Sequence, residues 1–108
     1  MIKVLILEDD KDLNTAVTTY LNDVGYQAFG CLEANEAYDE MYNNPYDIIV
    51  SDIMMPNIDG FEFAKTLRGL DKSIPIIFMS AKDDFISKQK GFNIGIDDYI
   101  VKPINLEE

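Results

Sequence analysis

Three runs of this chain, Val4-Leu5-Ile6-Leu7, Ile48-Ile49-Val50 and Ile76-Ile77-Phe78-Met79, are apolar without a break. A strand with one wet face alternates apolar and polar side chains. A strand with no polar position has to be covered on both faces, as in a parallel sheet sandwiched by helices. The covering material is present. Leu13, Ala16, Val17, Tyr20, Leu21 and Val24 recur at spacings of three and four, the stripe of an amphipathic helix. Asp10 or Asp12 can cap its start, and Gly25 suits its end. Ala34, Ala37, Tyr38 and Met41 mark a second helix, stopped by Asn43-Asn44-Pro45, and Phe61, Ala64 and Leu67 a third. Residues 83 to 95 read as a fourth helix with no clean stripe, since Phe85, Ile86, Phe92 and Ile94 fall on several faces and Gly91 weakens the interior.

Two weaker strands, 26–31 and 99–101, complete the alternation. Strands alternating with helices through short turns imply parallel pairing and right-handed crossovers. The fold class read from this is α/β, a doubly wound five-stranded parallel sheet of flavodoxin-like order 2-1-3-4-5. After Pro103 only Ile104-Asn105-Leu106-Glu107-Glu108 remain, where a fifth helix would begin. The expectation is one domain over 1–108, with the C-terminal helix cut short and any effector domain absent.

Composition narrows the function. The formal net charge is -11, from 9 Lys and Arg against 20 Asp and Glu, with no histidine. Phosphates would be repelled, so this domain is not expected to grip nucleic acid or a membrane surface by charge. A divalent cation or a basic partner suits it better. The single Cys31 excludes an internal disulfide and fits a reducing, cytoplasmic setting. No signal peptide and no apolar run of membrane-spanning length is read.

The polar groups stand at strand ends: Glu8 and Asp9 after the first, Asp52 after the third, Ser80 after the fourth, Lys102 after the fifth. Parallel strands bring their carboxyl ends to one edge, where α/β sheets bind ligands. Each close carboxylate pair costs roughly 4 kcal/mol at an effective dielectric near 20. A cation, a proton or Lys102 can offset that. All-oxygen ligation with few carboxylates suits Mg²⁺ or Mn²⁺. Ser80 and Lys102 are natural donors to phosphoryl oxygens, and an Asp beside them is a workable nucleophile for in-line phosphoryl transfer.

At these residues the chain resembles a receiver domain of a two-component response regulator. The matching pieces are Ile6-Leu7-Glu8-Asp9-Asp10, Asp52-Ile53-Met54-Met55-Pro56 with Asp59-Gly60, Met79-Ser80-Ala81-Lys82, and Gly95-Ile96-Asp97-Asp98-Tyr99 leading to Lys102-Pro103. The Asp-Asp-Tyr sequence and the Met-Met-Pro loop look most like the winged-helix DNA-binding (OmpR/PhoB-like) subfamily. The resemblance implies that Asp52 is the phosphoacceptor for a sensor histidine kinase. It implies that Asp9, Asp52 and the Met54 carbonyl ligate Mg²⁺, with Glu8 acting through water. Lys102 then pairs with the phosphoryl group, Ser80 and Tyr99 form a switch pair with Tyr99 swinging in from an exposed position, and the Lys102–Pro103 bond is cis. The implied protein is a signalling switch rather than an enzyme. Its partners are the kinase, its own effector domain acting on transcription, and a second copy where the fifth helix is present.

Departures are mild. Glu8 stands for the commoner Asp, Ser80 for the commoner Thr, and Asn35 for a usual Gly. Two rivals lack a needed group. A haloacid-dehalogenase-type phosphatase needs an acid two residues after its nucleophile, where this chain has Met54. A flavodoxin-like cofactor binder needs a phosphate loop after the first strand, where Glu8-Asp9-Asp10 would repel the phosphate.

Overall fold

A computed structural model of the chain describes residues 1–53, 59–70, 73–80 and 85–102. The order is β1 (Lys3–Leu7), α1 (Lys11–Asp23), β2 (Gln27–Cys31), α2 (Ala34–Asn43), β3 (Ile48–Asp52), α3 (Gly60–Leu70), β4 (Ile76–Ser80), α4 (Phe85–Ile94) and β5 (Asp98–Val101). All pairings are parallel, in the order β2-β1-β3-β4-β5. The expected fold class stands. Pro103 and everything after it, where the C-terminal helix is expected to be cut short, lies outside the described residues.

The unbroken apolar runs are explained by position. In β1, flanked by β2 and β3, Val4 to Leu7 are all buried. Alternate residues feed two cores. Leu5, Leu7, Ile49, Ile76 and Phe78 join Ala37, Phe63, Ala64 and Leu67 of α2 and α3 on one face. Val4, Ile6 and Met79 join Val17, Leu13 and Leu21 of α1 on the other.

Helix ends follow their local chemistry. Asp10 caps α1, its Oδ1 accepting from the Asp12 and Leu13 N–H groups at 3.0 and 3.2 Å. That settles which acid serves as cap and leaves Asp9 outside the helix. Val24 is the C-terminal flank of α1, and Gly25 follows at φ +107°, the left-handed conformation that closes a helix. The α1 stripe is rotated from expectation: Asn14 and Val17 are buried, while Ala16 and Val24 are exposed.

At the far end of the sheet, Arg68 of α3 acts as a clip. Its guanidinium donates to the carbonyls of Gly95 and Ile74, and pairs with the Asp97 carboxylate at 3.1 Å. Asp97 also accepts from the Ile76 N–H at 2.8 Å. One side chain thus joins the end of α3 to the end of α4 and the starts of β4 and β5.

Candidate functional site

The register of the sheet sets the site. Leu7 pairs with Ser51, Asp52 with Met79, and Ser80 with Val101, so the carboxyl ends of β1, β3, β4 and β5 fall on one edge. Glu8 and Asp9 leave β1 there, Asp52 is the last residue of β3, Ser80 the last of β4, and Lys102 follows β5. Carboxylate oxygens of Glu8, Asp9 and Asp52 lie within 4.8 Å of one another. Glu8, Asp52 and Ser80 are buried and Asp9 is exposed. Such a cluster has a wall of low polarity and one acid open to solvent.

Asp52 is held from below by a close backbone approach. The Gly60 N–H donates to the Ile53 carbonyl at 2.6 Å. A Cβ on Gly60 would sit 2.3 Å from the Asp52 carbonyl oxygen and 2.6 Å from the Ile53 Cα, so only glycine lets α3 start this near the end of β3. Asp59 caps that helix, its Oδ1 accepting from the Glu62 N–H at 2.8 Å. Ser51 adds a hydroxyl donating to the Asp52 carbonyl at 2.9 Å.

Lys102 enters from the opposite side. Its Nζ stands 2.5 Å from Glu8 Oε1 and 3.3 Å from Asp52 Oδ2, with Lys102 half-buried. Its backbone N–H donates to the Ser80 carbonyl at 2.7 Å, which ties the Lys102 loop to the end of β4. Burial alone would lower the Lys102 ammonium. The hydrogen bond to Glu8 and the charges of Asp52 and Glu8 outweigh burial and raise it. Glu8 is pushed up from 4.5 to about 7, first by burial and then by its contact with Asp52, with Lys102 opposing only in part. Three acids and one ammonium leave the site short of positive charge.

The residues fit a hard divalent cation. Every side-chain donor is a carboxylate oxygen, and Glu8 Oε2 is buried with no hydrogen-bond partner among the described residues. A buried oxygen without a donor is an open demand for a proton or a cation. By contrast the Cys31 thiol is buried and pushed up to about 12, by burial first and then by Glu36 and Glu40. It is no nucleophile.

Tyr99 differs from expectation. It is half-buried rather than exposed, its ring meeting Phe78 edge-on at 6.3 Å. Phe78 in turn meets Phe61 edge-on at 5.6 Å, and Lys88 Nζ stands 5.8 Å over the Tyr99 ring. Tyr99 is therefore wedged between β4 and α4 on the face away from α1. The Met54 carbonyl and the Lys102–Pro103 bond lie outside the described residues. The sequence marks Gly60 only as part of the Asp59-Gly60 match and does not single out Asn14 or Arg68. A polar residue within an otherwise apolar stripe was the available signal for Asn14.

The model of the response regulator receiver domain family matches residues 4–108. The chain is 39% identical over 107 residues to the transcriptional regulatory protein RprY of Bacteroides fragilis, which covers 99% of this chain and 45% of that protein. It is 37% identical over 108 residues to the transcriptional regulatory protein CiaR of Streptococcus pneumoniae, covering 100% of this chain and 48% of that one. In structure it is similar to the chemotaxis protein CheY4 of Vibrio cholerae, with a TM-score of 0.94 and 33% identity over 99% of this chain and 91% of that one. The chain spans about half the length of the curated relatives it matches. Transcriptional regulators among them agree with the winged-helix subfamily named above. No helix among the described residues is long and apolar enough to cross a membrane.

Proposed function

The chain belongs to the response regulator receiver domain family, and from that premise we propose that it is a phosphorylation-driven switch with Asp52 as phosphoacceptor. The observation that carries this reading is the convergence of the Glu8, Asp9 and Asp52 oxygens within 4.8 Å, with Lys102 bridging Glu8 and Asp52. An Asp52 oxygen attacks phosphorus in a phosphohistidine of a sensor kinase. The P–N bond breaks, and its electron pair leaves with the imidazole. The protein contributes position and charge rather than a second nucleophile. Asp9 and Asp52, with Glu8 behind them and the Met54 carbonyl as a further donor, are the groups proposed to hold Mg²⁺, with Mn²⁺ as substitute. The ion supplies positive charge against the phosphoryl oxygens.

Lys102 is already placed to exchange its contact with Asp52 for a phosphoryl oxygen. Ser80, at the end of the neighbouring strand, donates to another. Movement of the Ser80 segment toward Asp52 loosens the contact between Phe78 and Tyr99, and the face formed by α4 and β5 changes. We place the chain in the cytoplasm, as a receiver domain over 1–108 coupled to an effector domain that acts on transcription and itself contacts the nucleic acid. A homodimer through α4, β5 and a fifth helix, where that helix is present, belongs to the same proposal, as does a cis Lys102–Pro103 bond.

Intact mass after incubation with acetyl phosphate and Mg²⁺ tests the reading. One phosphoryl group is expected on the wild type, none on Asp52→Asn, and none on the wild type with EDTA. An adduct undiminished in Asp52→Asn would remove Asp52 from its role, and one undiminished by EDTA would remove the metal. Asp52 is proposed to assist its own dephosphorylation as well, so slow release of phosphate from acetyl phosphate fits the switch, whereas steady turnover of p-nitrophenyl phosphate would instead indicate a phosphatase.

A further inference from the structure

Asn14 of α1 is buried at 6% exposure, on the face that packs against the sheet. Its side-chain amide donates to the Glu8 carbonyl at 3.0 Å and to the Cys31 carbonyl at 2.8 Å. The Glu8 N–H donates to that same Cys31 carbonyl at 3.0 Å. Asn14 Oδ1 accepts from the Thr18 hydroxyl at 3.3 Å. Every polar group of this side chain is therefore engaged, and its two donors span the carboxyl ends of β1 and β2.

The slot exists because position 30 is glycine. A Cβ there would lie 2.0 Å from Asn14 Oδ1 and 2.8 Å from Thr18 Oγ1. An apolar residue at position 14 would bury more cheaply, since a polar amide in a core must recover its lost water. The amide recovers it by gripping one particular peptide. The Glu8 carbonyl belongs to the peptide that leads into Asp9, so its orientation sets how the Glu8 and Asp9 side chains diverge. On the other flank of Asp9, the Asp10 carboxylate is fixed to the Asp12 and Leu13 N–H groups. Asp9 hangs between two anchors that both come from the first turns of α1.

We propose that Asn14 is a positioning residue of the divalent-cation site, holding the Glu8–Asp9 peptide so that the three carboxylates stay converged without the ion. Partners that orient ligating groups are worth factors of ten or more in metal affinity. The inference rests on the reading of Glu8, Asp9 and Asp52 as a metal site.

Mn²⁺ binding, followed by the electron paramagnetic resonance of the unbound ion, is to be measured for the wild type, Asn14→Ala, Gly30→Ala and the double variant, beside their thermal melts. Each single variant is expected to bind Mn²⁺ about tenfold more weakly. The double variant should bind no more weakly than the weaker single one, because Gly30→Ala acts by evicting an amide that Asn14→Ala no longer has. Equal affinity in the wild type and both single variants, whatever their melting temperatures, would overturn the proposal, as would additive losses in the double variant. A wild type that binds no Mn²⁺ would overturn the metal reading itself, a separate result. Should a variant not fold, the wild type alone decides. On Mg²⁺ titration the Asn14 side-chain amide resonance should shift in step with the Asp9 backbone. That of Asn22, bonded to the Ala28 carbonyl, should stay still. An unmoved Asn14 resonance overturns the proposal.

Discussion

Glu8 carries the electrostatic cost of the site. It is fully buried beside Asp52, with one oxygen on Lys102 and the other unpartnered among the described residues. Its folded pKa of about 7 lies above its ordinary 4.5. A carboxyl raised in this way binds its proton more tightly in the folded state. Its stabilising contribution is complete below pH 4.5 and is lost as pH rises through about 7. The size is roughly 3 kcal/mol. In metal-free buffer, the stability difference between the wild type and Glu8→Gln, read from urea melts, should therefore move against the wild type across this window. A flat difference would refute the raised pKa. Mg²⁺ competes with the same proton, so its apparent affinity should climb from pH 5 to 7 and level off above. A calorimetric titration at several pH values checks this. Asp9 is exposed and anchored only through its neighbours. Asp9→Ala should abolish Mg²⁺ binding while leaving the melting temperature nearly unchanged, since a directly placed acid is lost without loss of packing.

Among the elements, α3 and α4 show where local structure serves the site. Gly60→Ala places a Cβ against backbone rather than against a yielding side chain. It should cost roughly 2 kcal/mol or more and slow phosphorylation by acetyl phosphate even where the protein still folds. Arg68→Met removes the clip on Gly95 and Asp97 while keeping much of the aliphatic stem. Hydrogen exchange should quicken selectively in α4, with a stability loss of roughly 2–3 kcal/mol. These two elements also mark the boundary of what sequence alone discloses. The central strands were legible from unbroken apolar runs such as Val4 to Leu7, and the helices α1 to α3 from spacings of three and four such as Ala34 and Ala37. The α4 stripe was not, because its described buried positions are Ser87 and Gly91, while Phe92 is 48% exposed. Hydrophobic periodicity does not register described positions that are buried as a hydroxymethyl and a hydrogen. The strand-end acids and Lys102 were legible from order along the chain. Asn14 shows in the sequence only as a polar residue interrupting the apolar stripe of α1, and nothing there pairs it with Gly30 to disclose the slot.

At the scale of the whole molecule, a parallel sheet gathers groups from positions 8, 9, 52, 80 and 102 onto one edge, and the same sheet leads away from it. Asp52 is paired in register with Met79, Ser80 adjoins Lys102 by a backbone hydrogen bond, and Phe78 lies against Tyr99. The acidic edge is thus joined by packed contacts to β5, and in the switch proposed above a shift between two packings is enough to use them. The measurement that tests this most directly is NMR of the chain with Mg²⁺ and beryllofluoride, an unreactive stand-in for the phosphoryl group. In the wild type, chemical-shift changes should run from Asp52 through Ser80 and Phe78 to Tyr99 and α4. In Ser80→Ala they should stay within the acidic edge. Changes that stop at Asp52 in the wild type, or that reach Tyr99 equally in Ser80→Ala, would contradict the switch.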